Sequence, residues 1–447
     1  MAYTPHTLKV GSIYIPISQA TPSPQVEAIV QGAGGSVDPT VSAVGGTMPI
    51  MTFNTPALGT ALGACSFAPT QITSGTTVVV YFAQMGEGTY VSGANHKSIT
   101  INEATLFLSR VSGERGKPAV AEYKLLATYD GTNAPFVVGE SVSLPSADLL
   151  SELYSVCCAV ISYGESSSVQ VKLNSASLDC GVGEMQERSG ATIHPTISAV
   201  MKQEPVITLD TMDIATMLAV AGIDPLVSTG TVIYFAKYNG PSYASGSVHI
   251  GITANDPLVV LKTMSGKQDE TATMSYEGHA IYSDSTAPIT ISTTTALPTL
   301  SALGAAFTLG PVSFNSTEHE VQEWTLDTGL TVTKKSHKGI AYPQIAAVTK
   351  REPVLTGTVL NVGDVPMFGS AESNAELWLR KVAEGGTRVS ETTAEHIQLL
   401  LTASLAFSDD VSGDWGNENT QGFTMRPTKS GANAIITIDT AAAITEA

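Results

Sequence analysis

Three histidines raise the first question about chemistry. His96, His249 and His396 occupy equivalent places in three internally similar stretches, and imidazole is the side chain best suited to hold a metal or move a proton near neutral pH. Their neighbours differ: Asn95 and Lys97, Val248 and Ile250, Glu395 and Ile397. A repeated chemical site would repeat its partners, so the expected role is structural, a strand-end histidine bonded to backbone or to the next subunit. Glu318-His319-Glu320 could ligate a metal, but alternate residues of a strand place only the two glutamates on one face. Asp409, Asp410, Asp414 and Glu418 gather near Gly413 and Gly416 without the spacing of a calcium loop. Gly32-Ala-Gly-Gly35 lacks a following Lys-Ser/Thr, and Gly113-Glu-Arg-Gly-Lys117 has the wrong interval and a proline after it, so both read as turns. Cys65, Cys157, Cys158 and Cys180 contain no C-x-x-C pair and support neither a zinc site nor a disulfide scaffold. The expectation is no catalytic, cofactor-binding or metal residue, and a protein that is not an enzyme.

Charge narrows the partners. The 22 basic and 40 acidic residues give −18, which argues against a protein that neutralises phosphates but suits one that repels DNA. Lys334-Lys335-Ser-His-Lys338 is the densest basic cluster. It reads either as an exposed hairpin tip or as a patch pairing with a neighbouring copy's acidic surface, such as the Asp409-Asp410 region. No apolar run approaches the roughly 20 residues of a membrane-spanning helix. The start, Met1-Ala-Tyr-Thr-Pro-His6, lacks the features of a signal peptide. The expectation is a soluble protein synthesised in a cytoplasm, with no membrane partner.

The elements that must position these residues are announced by an internal repeat. Asp38-Pro-Thr-Val-Ser-Ala-Val44, His194-Pro-Thr-Ile-Ser-Ala-Val200 and Tyr342-Pro-Gln-Ile-Ala-Ala-Val348 match, and each is followed by a second proline, Pro49, Pro205 and Pro353. Val80-Tyr-Phe-Ala83 then falls on Ile233-Tyr-Phe-Ala236, and Leu377-Trp-Leu-Arg-Lys381 takes that place in the third copy. Ser112-Gly113, Ser265-Gly266 and Ser412-Gly413 recur in the same order, as does a connector, Leu178-Asp-Cys-Gly181 and Leu326-Asp-Thr-Gly329. The chain divides into units at 1–143, 144–296 and 297–447.

Within each unit the hydrophobic alternation has period two, as in Thr77-Val-Val-Val-Tyr-Phe82 and Thr105-Leu-Phe-Leu108, which predicts strands. The Ser-Gly pairs are expected in hairpin turns, with glycine at positive φ. Asp210 to Gly222 has a cap, helical spacing of Ile214, Met217, Leu218 and Ala221, and a terminating glycine, which predicts a helix. Its counterpart begins at Asn54-Thr-Pro56, and a second short helix is expected from Ala147 to Tyr154. The fold class is therefore mainly β: three tandem β-sandwich or barrel-like units, each with one or two short flanking helices.

Strand-rich units of about 150 residues, one capped helix, the segment Thr271-Ala-Thr-Met-Ser-Tyr-Glu-Gly-His-Ala-Ile-Tyr-Ser-Asp-Ser-Thr-Ala-Pro288 and the acidic, Thr/Ser/Ala-rich composition resemble the tail tube proteins of long-tailed bacteriophages. That resemblance implies stacked rings of six sandwich domains around a channel for DNA, and a place in the virion tail after synthesis in the host cytoplasm. The partners it implies are other copies of the chain, other tail proteins and DNA that passes without specific binding. With three units per chain, two chains would complete a ring, unless the third unit projects outward as a decoration and three chains are needed. The alternative is a virion- or cell-surface decoration or receptor-binding protein of tandem sandwiches, disfavoured because the Leu144-Pro145 and Leu297-Pro298 joints carry no flexible spacer.

Overall fold

The computed structural model describes residues 2–31, 38–73, 75–146, 152–190, 192–283, 285–300, 305–314, 316–337, 339–360, 373–383, 386–412, 420–429 and 434–444. The protein is mainly β, with two helices among these residues. Valine, isoleucine and threonine at alternating positions account for this, since their branched side chains suit a pleated surface buried on one face.

One strand plan recurs three times. The first outer sheet runs Val137–Val142, His96–Ile101, Val78–Gln84, Tyr3–Val10, Ile13–Pro16, all antiparallel. The second reads Ile289–Thr295, His249–Asn255, Gly230–Asn239, Tyr154–Tyr163, Ser167–Lys172. The third reads Ile436–Ala442, His396–Ser412, Ser373–Val382, Ala306–Phe314, Thr317–His319.

The opposite layer does not stop at the unit boundaries. Gln19–Ser23, Ile50–Thr55, Val120–Thr128 and Glu103–Glu114 pair in that order. Glu103–Glu114 then pairs with Ser175–Asp179, which continues through Val206–Thr211 and Thr273–His279 to Leu258–Lys267. That last strand pairs with Val321–Asp327, followed by Val354–Val359, Thr420–Pro427 and the second half of His396–Ser412. Twelve strands thus form one antiparallel layer, with four from each third of the chain. The ladder branches into the third outer sheet through His396–Ser412, which passes from one layer to the other. It never returns to Gln19–Ser23, whose strand partner among the described residues is Ile50–Thr55.

The core lies between the layers. Leu8, Val80 and Ile101 of the first outer sheet share a buried cluster with Phe53, Tyr123 and Leu125 of the long layer, and the Phe53 and Tyr123 rings stack at 5.3 Å. The helices Leu58–Ala64 and Ile214–Val220 bury Leu58, Ala61 and Leu62, and Ile214, Met217 and Leu218.

Local expectations need four corrections. Asn54 and Thr55 end the strand Ile50–Thr55 instead of opening a helix, which begins only at Leu58. Asp210 and Thr211 end a strand, and the helix begins only after Asp213, whose Oδ1 accepts from the Thr216 hydroxyl at 2.7 Å rather than from a helix N–H. Tyr154 opens a strand instead of closing a helix; residues 147–151 lie outside the described residues. Ser112-Gly113 and Ser265-Gly266 are not turns but lie inside Glu103–Glu114 and Leu258–Lys267, and Gly413 is outside the described residues. The glycines serve packing: a Cβ on Gly113 would sit 2.9 Å from Phe235, and one on Gly266 would sit 3.1 Å from Leu379. Each glycine thus admits a side chain from the next unit's outer sheet.

Candidate assembly edges and the polar face

The two joints inside the long layer share one register. Arg110 lies opposite Asp179, Val111 opposite Leu178 and Ser112 opposite Ser177. Thr263, Met264 and Ser265 meet Asp327, Leu326 and Thr325 in the same way. Past each joint the chain turns into a two-stranded arm. Asp179 and Asp327 accept the N–H of Gly181 and Gly329 at 2.8 Å. Both glycines have positive φ, and a Cβ there would collide with the carbonyls of Glu204 and Glu352, which explains the repeated connector.

Each arm lies back over the preceding unit. The arm Val182–Glu187 with Ile197–Gln203 pairs Glu184 with Lys124. Ser198 O on the same arm accepts from the Thr105 hydroxyl at 3.0 Å. The arm Leu330–Lys335 with Ile345–Arg351 packs Leu330, Val332, Ala346 and Val348 on Leu258 and Val260. Both tips are held alike, with Tyr129 N donating to Pro195 O at 2.8 Å and Tyr282 N to Pro343 O at 2.7 Å. The first arm, Val26–Gln31 with Val41–Thr47, exposes Val26, Ile29, Val30, Val41 and Val44.

The face of the long layer turned away from the core is rich in Ser and Thr, with Thr52, Ser112, Ser177, Thr208, Ser275, Ser265, Thr325 and Thr356 partly or fully exposed. Among the described residues its carboxylates include Glu114, Glu122, Asp179, Asp210, Glu277, Glu323 and Asp327, and its cations include Arg110, Lys124, Lys262, Lys267 and Arg426. Three of the cations have ion pairs, Lys124 with Glu184, Lys262 with Glu277 at 3.8 Å and Lys267 with Glu270 at 2.9 Å. The His279 ring, whose Nε2 lies 3.5 Å from Glu277 Oε2, and the nearby Lys262 charge hold the Glu277 carboxyl below its usual range.

The three histidines are brought to equivalent positions and not to one site. Nδ1 of each accepts a backbone N–H at 3.0 Å, from Gln84 to His96, from Lys237 to His249 and from Lys381 to His396. All three are buried, and burial lowers the pKa of His249. An imidazole that accepts a backbone N–H at Nδ1 staples the start of one strand to its neighbour.

The other chemical candidates disperse. Glu318 and Glu320 are exposed while the His319 ring lies 4.7 Å from Phe314. Asp409 and Asp410 sit in a strand at a register shift between Ser408 and Val411; Asp414 and Glu418 are outside the described residues, as are Gly32 to Gly35. Gly116 makes a turn, and Lys117 pairs with Glu114 at 2.8 Å. All four cysteines are free and buried. No cluster of metal-ligating side chains occurs among the described residues. Lys334 is in a strand instead of a tip, and its ammonium donates to Glu204 O at 3.0 Å within the chain. Burial lowers its pKa, while Lys335, Ser336 and His337 toward the end of the same arm are exposed. Lys338 lies outside the described residues.

Sequence reasoning missed the edge strands Gln19–Ser23 and Leu405 to Ser412. A signal was present in the Ser-Gly repeat, whose third copy, Ser412, ends the last described strand of the layer. No protein-family model matches the chain, and a comparison with curated proteins finds no relative.

Proposed function

We propose that the protein is a structural, self-assembling subunit of a phage tail tube, in which copies of the chain close rings that stack around a channel for DNA. The observation that carries this reading is the twelve-stranded layer, which crosses both unit boundaries in one register and ends in two edges that have no further strand partner among the described residues. A β-rich chain with unpaired edges is prone to uncontrolled pairing unless the edges are covered, and ring closure covers both. The third unit joins the layer as the second does, which favours a wall domain over an outward decoration. With six units to a ring, two chains suffice.

The polar face of the layer is the surface assigned to the lumen. Its hydroxyls offer DNA no net charge, its carboxylates repel phosphate, and Lys124, Lys262 and Lys267 are already paired. Each free cation would add phosphate affinity and slow transit. Negative-stain microscopy of the purified protein tests the assignment. Rings or tubes with two-fold symmetry about the axis are expected, and a preparation that stays as isolated monomers at high concentration would sink it.

A further inference from the structure

We infer that the two open edges are halves of one joint, and that the occupant of each is a second copy of this chain in a fixed register: Ser412 opposite Thr21 of the partner subunit, Val411 opposite the partner's Pro22, and Asp410 opposite the partner's Ser23. This deepens the ring reading and shares its premise that copies associate head to tail.

The register comes from the two joints already made within the chain. Ser112 faces Ser177, and Ser265 faces Thr325. By their pairing with the neighbouring strand, Thr21, Ser177 and Thr325 are equivalent, opposite Thr52, Thr208 and Thr356. On the other side, a register shift follows Leu108, Leu261 and Ser408 alike, so Ser412 stands where Ser112 and Ser265 stand.

Burial marks what the first unit lacks. Leu178 and Leu326 are fully buried at the internal joints, whereas Pro22 at the same place is partly exposed. Ala176 and Trp324 are buried, and their counterpart Ala20 is partly exposed. Phe235 and Leu379 are fully buried against Gly113 and Gly266 of the unit before them. Phe82, at the position of Phe235, meets no such glycine among the described residues and remains partly exposed. Apolar positions that are sealed twice by a preceding unit and left open at the chain's first unit are complementary to that preceding unit, and the third unit is the copy free to supply it. The first arm completes the match. Laid over the partner's third unit as the other arms lie over theirs, it covers Val26, Val30 and Val44, whose counterparts Val182, Gln186 and Val200 are partly buried, and brings Pro39 O to Lys429 N of the partner subunit, as Pro195 O meets Tyr129 N.

Cross-linking tests the register. Paired antiparallel positions have Cα atoms about 4.5–5.5 Å apart, within disulfide range, and the native cysteines are buried. The full chain carrying Thr21→Cys and Ser412→Cys is oxidised and run without reductant. The expected result is a shift from monomer to a covalent dimer and no further. Ser112→Cys with Ser177→Cys, linked within one chain, verifies that oxidation is effective, and Ser23→Cys with Ser412→Cys, two residues out of register, should stay monomeric. A ladder of higher multimers overturns closure by two copies. Absence of the dimer while the Ser112–Ser177 link forms overturns the joint. Imaging the same samples separates the two readings: tubes without the link sink the joint alone, and linked dimers that never stack sink the tube alone.

Discussion

The backbone N–H of Lys237 donates to Nδ1 of His249 at 3.0 Å, across the loop that separates two neighbouring strands of the second outer sheet. The same bond joins Gln84 to His96 and Lys381 to His396. A histidine that recurs in three units without a recurring acid or ligand is thus explained by a backbone donor that needs an acceptor where the ladder ends.

Replacing His249 with Ala should leave the Lys237 N–H buried without a partner and lower stability by about 1–3 kcal/mol. Thermal unfolding of His249→Ala and of the equivalent His96→Ala checks this. No loss in either variant would show that water replaces the imidazole at no cost.

Acid should have a matching effect. Burial lowers the folded-state pKa of His249 below 6.5, so its contribution is complete above pH 6.5 and is lost as the pH falls through the folded value. The unfolding midpoint, followed from pH 7.5 to 5, should fall more in the parent than in His249→Ala. Parallel curves would contradict the assignment.

Gly113→Ala is expected to destabilise by about 1–3 kcal/mol, because the added methyl would meet Phe235 at 2.9 Å and Ala119 at 3.2 Å. Gly63→Ala, in the helix Leu58–Ala64 with open space around the new atom, should stabilise by about 0.5–1 kcal/mol. Denaturant melts of the pair test both signs, and a neutral Gly113→Ala would mean that the unit interface yields.

Because ladder pairing crosses both unit boundaries, the three units should unfold together. Calorimetry should give one transition whose van't Hoff and calorimetric enthalpies agree. Three resolved transitions would indicate that the joints contribute little.

Much was legible from the residues themselves. Period-two alternation marked Val78–Gln84 and its equivalents as strands, since alternation is a property of neighbours along the chain. Helical spacing found Ile214–Val220 and its buried face, and unlike neighbours around equivalent histidines pointed to a structural role. The Ser-Gly pairs were visible but misplaced. Nothing local distinguishes a glycine that turns the chain from Gly113, which is small because Phe235 of the next unit comes to rest on it. The continuous layer was equally hidden, because opposing Arg110 to Asp179 and Thr263 to Asp327 depends on contacts between distant segments. Strand identity follows from local pattern, whereas the choice of partner and register follows from which buried faces fit once the units are side by side. The sequence therefore carries three similar stretches, and folding in three dimensions joins their strands into one layer.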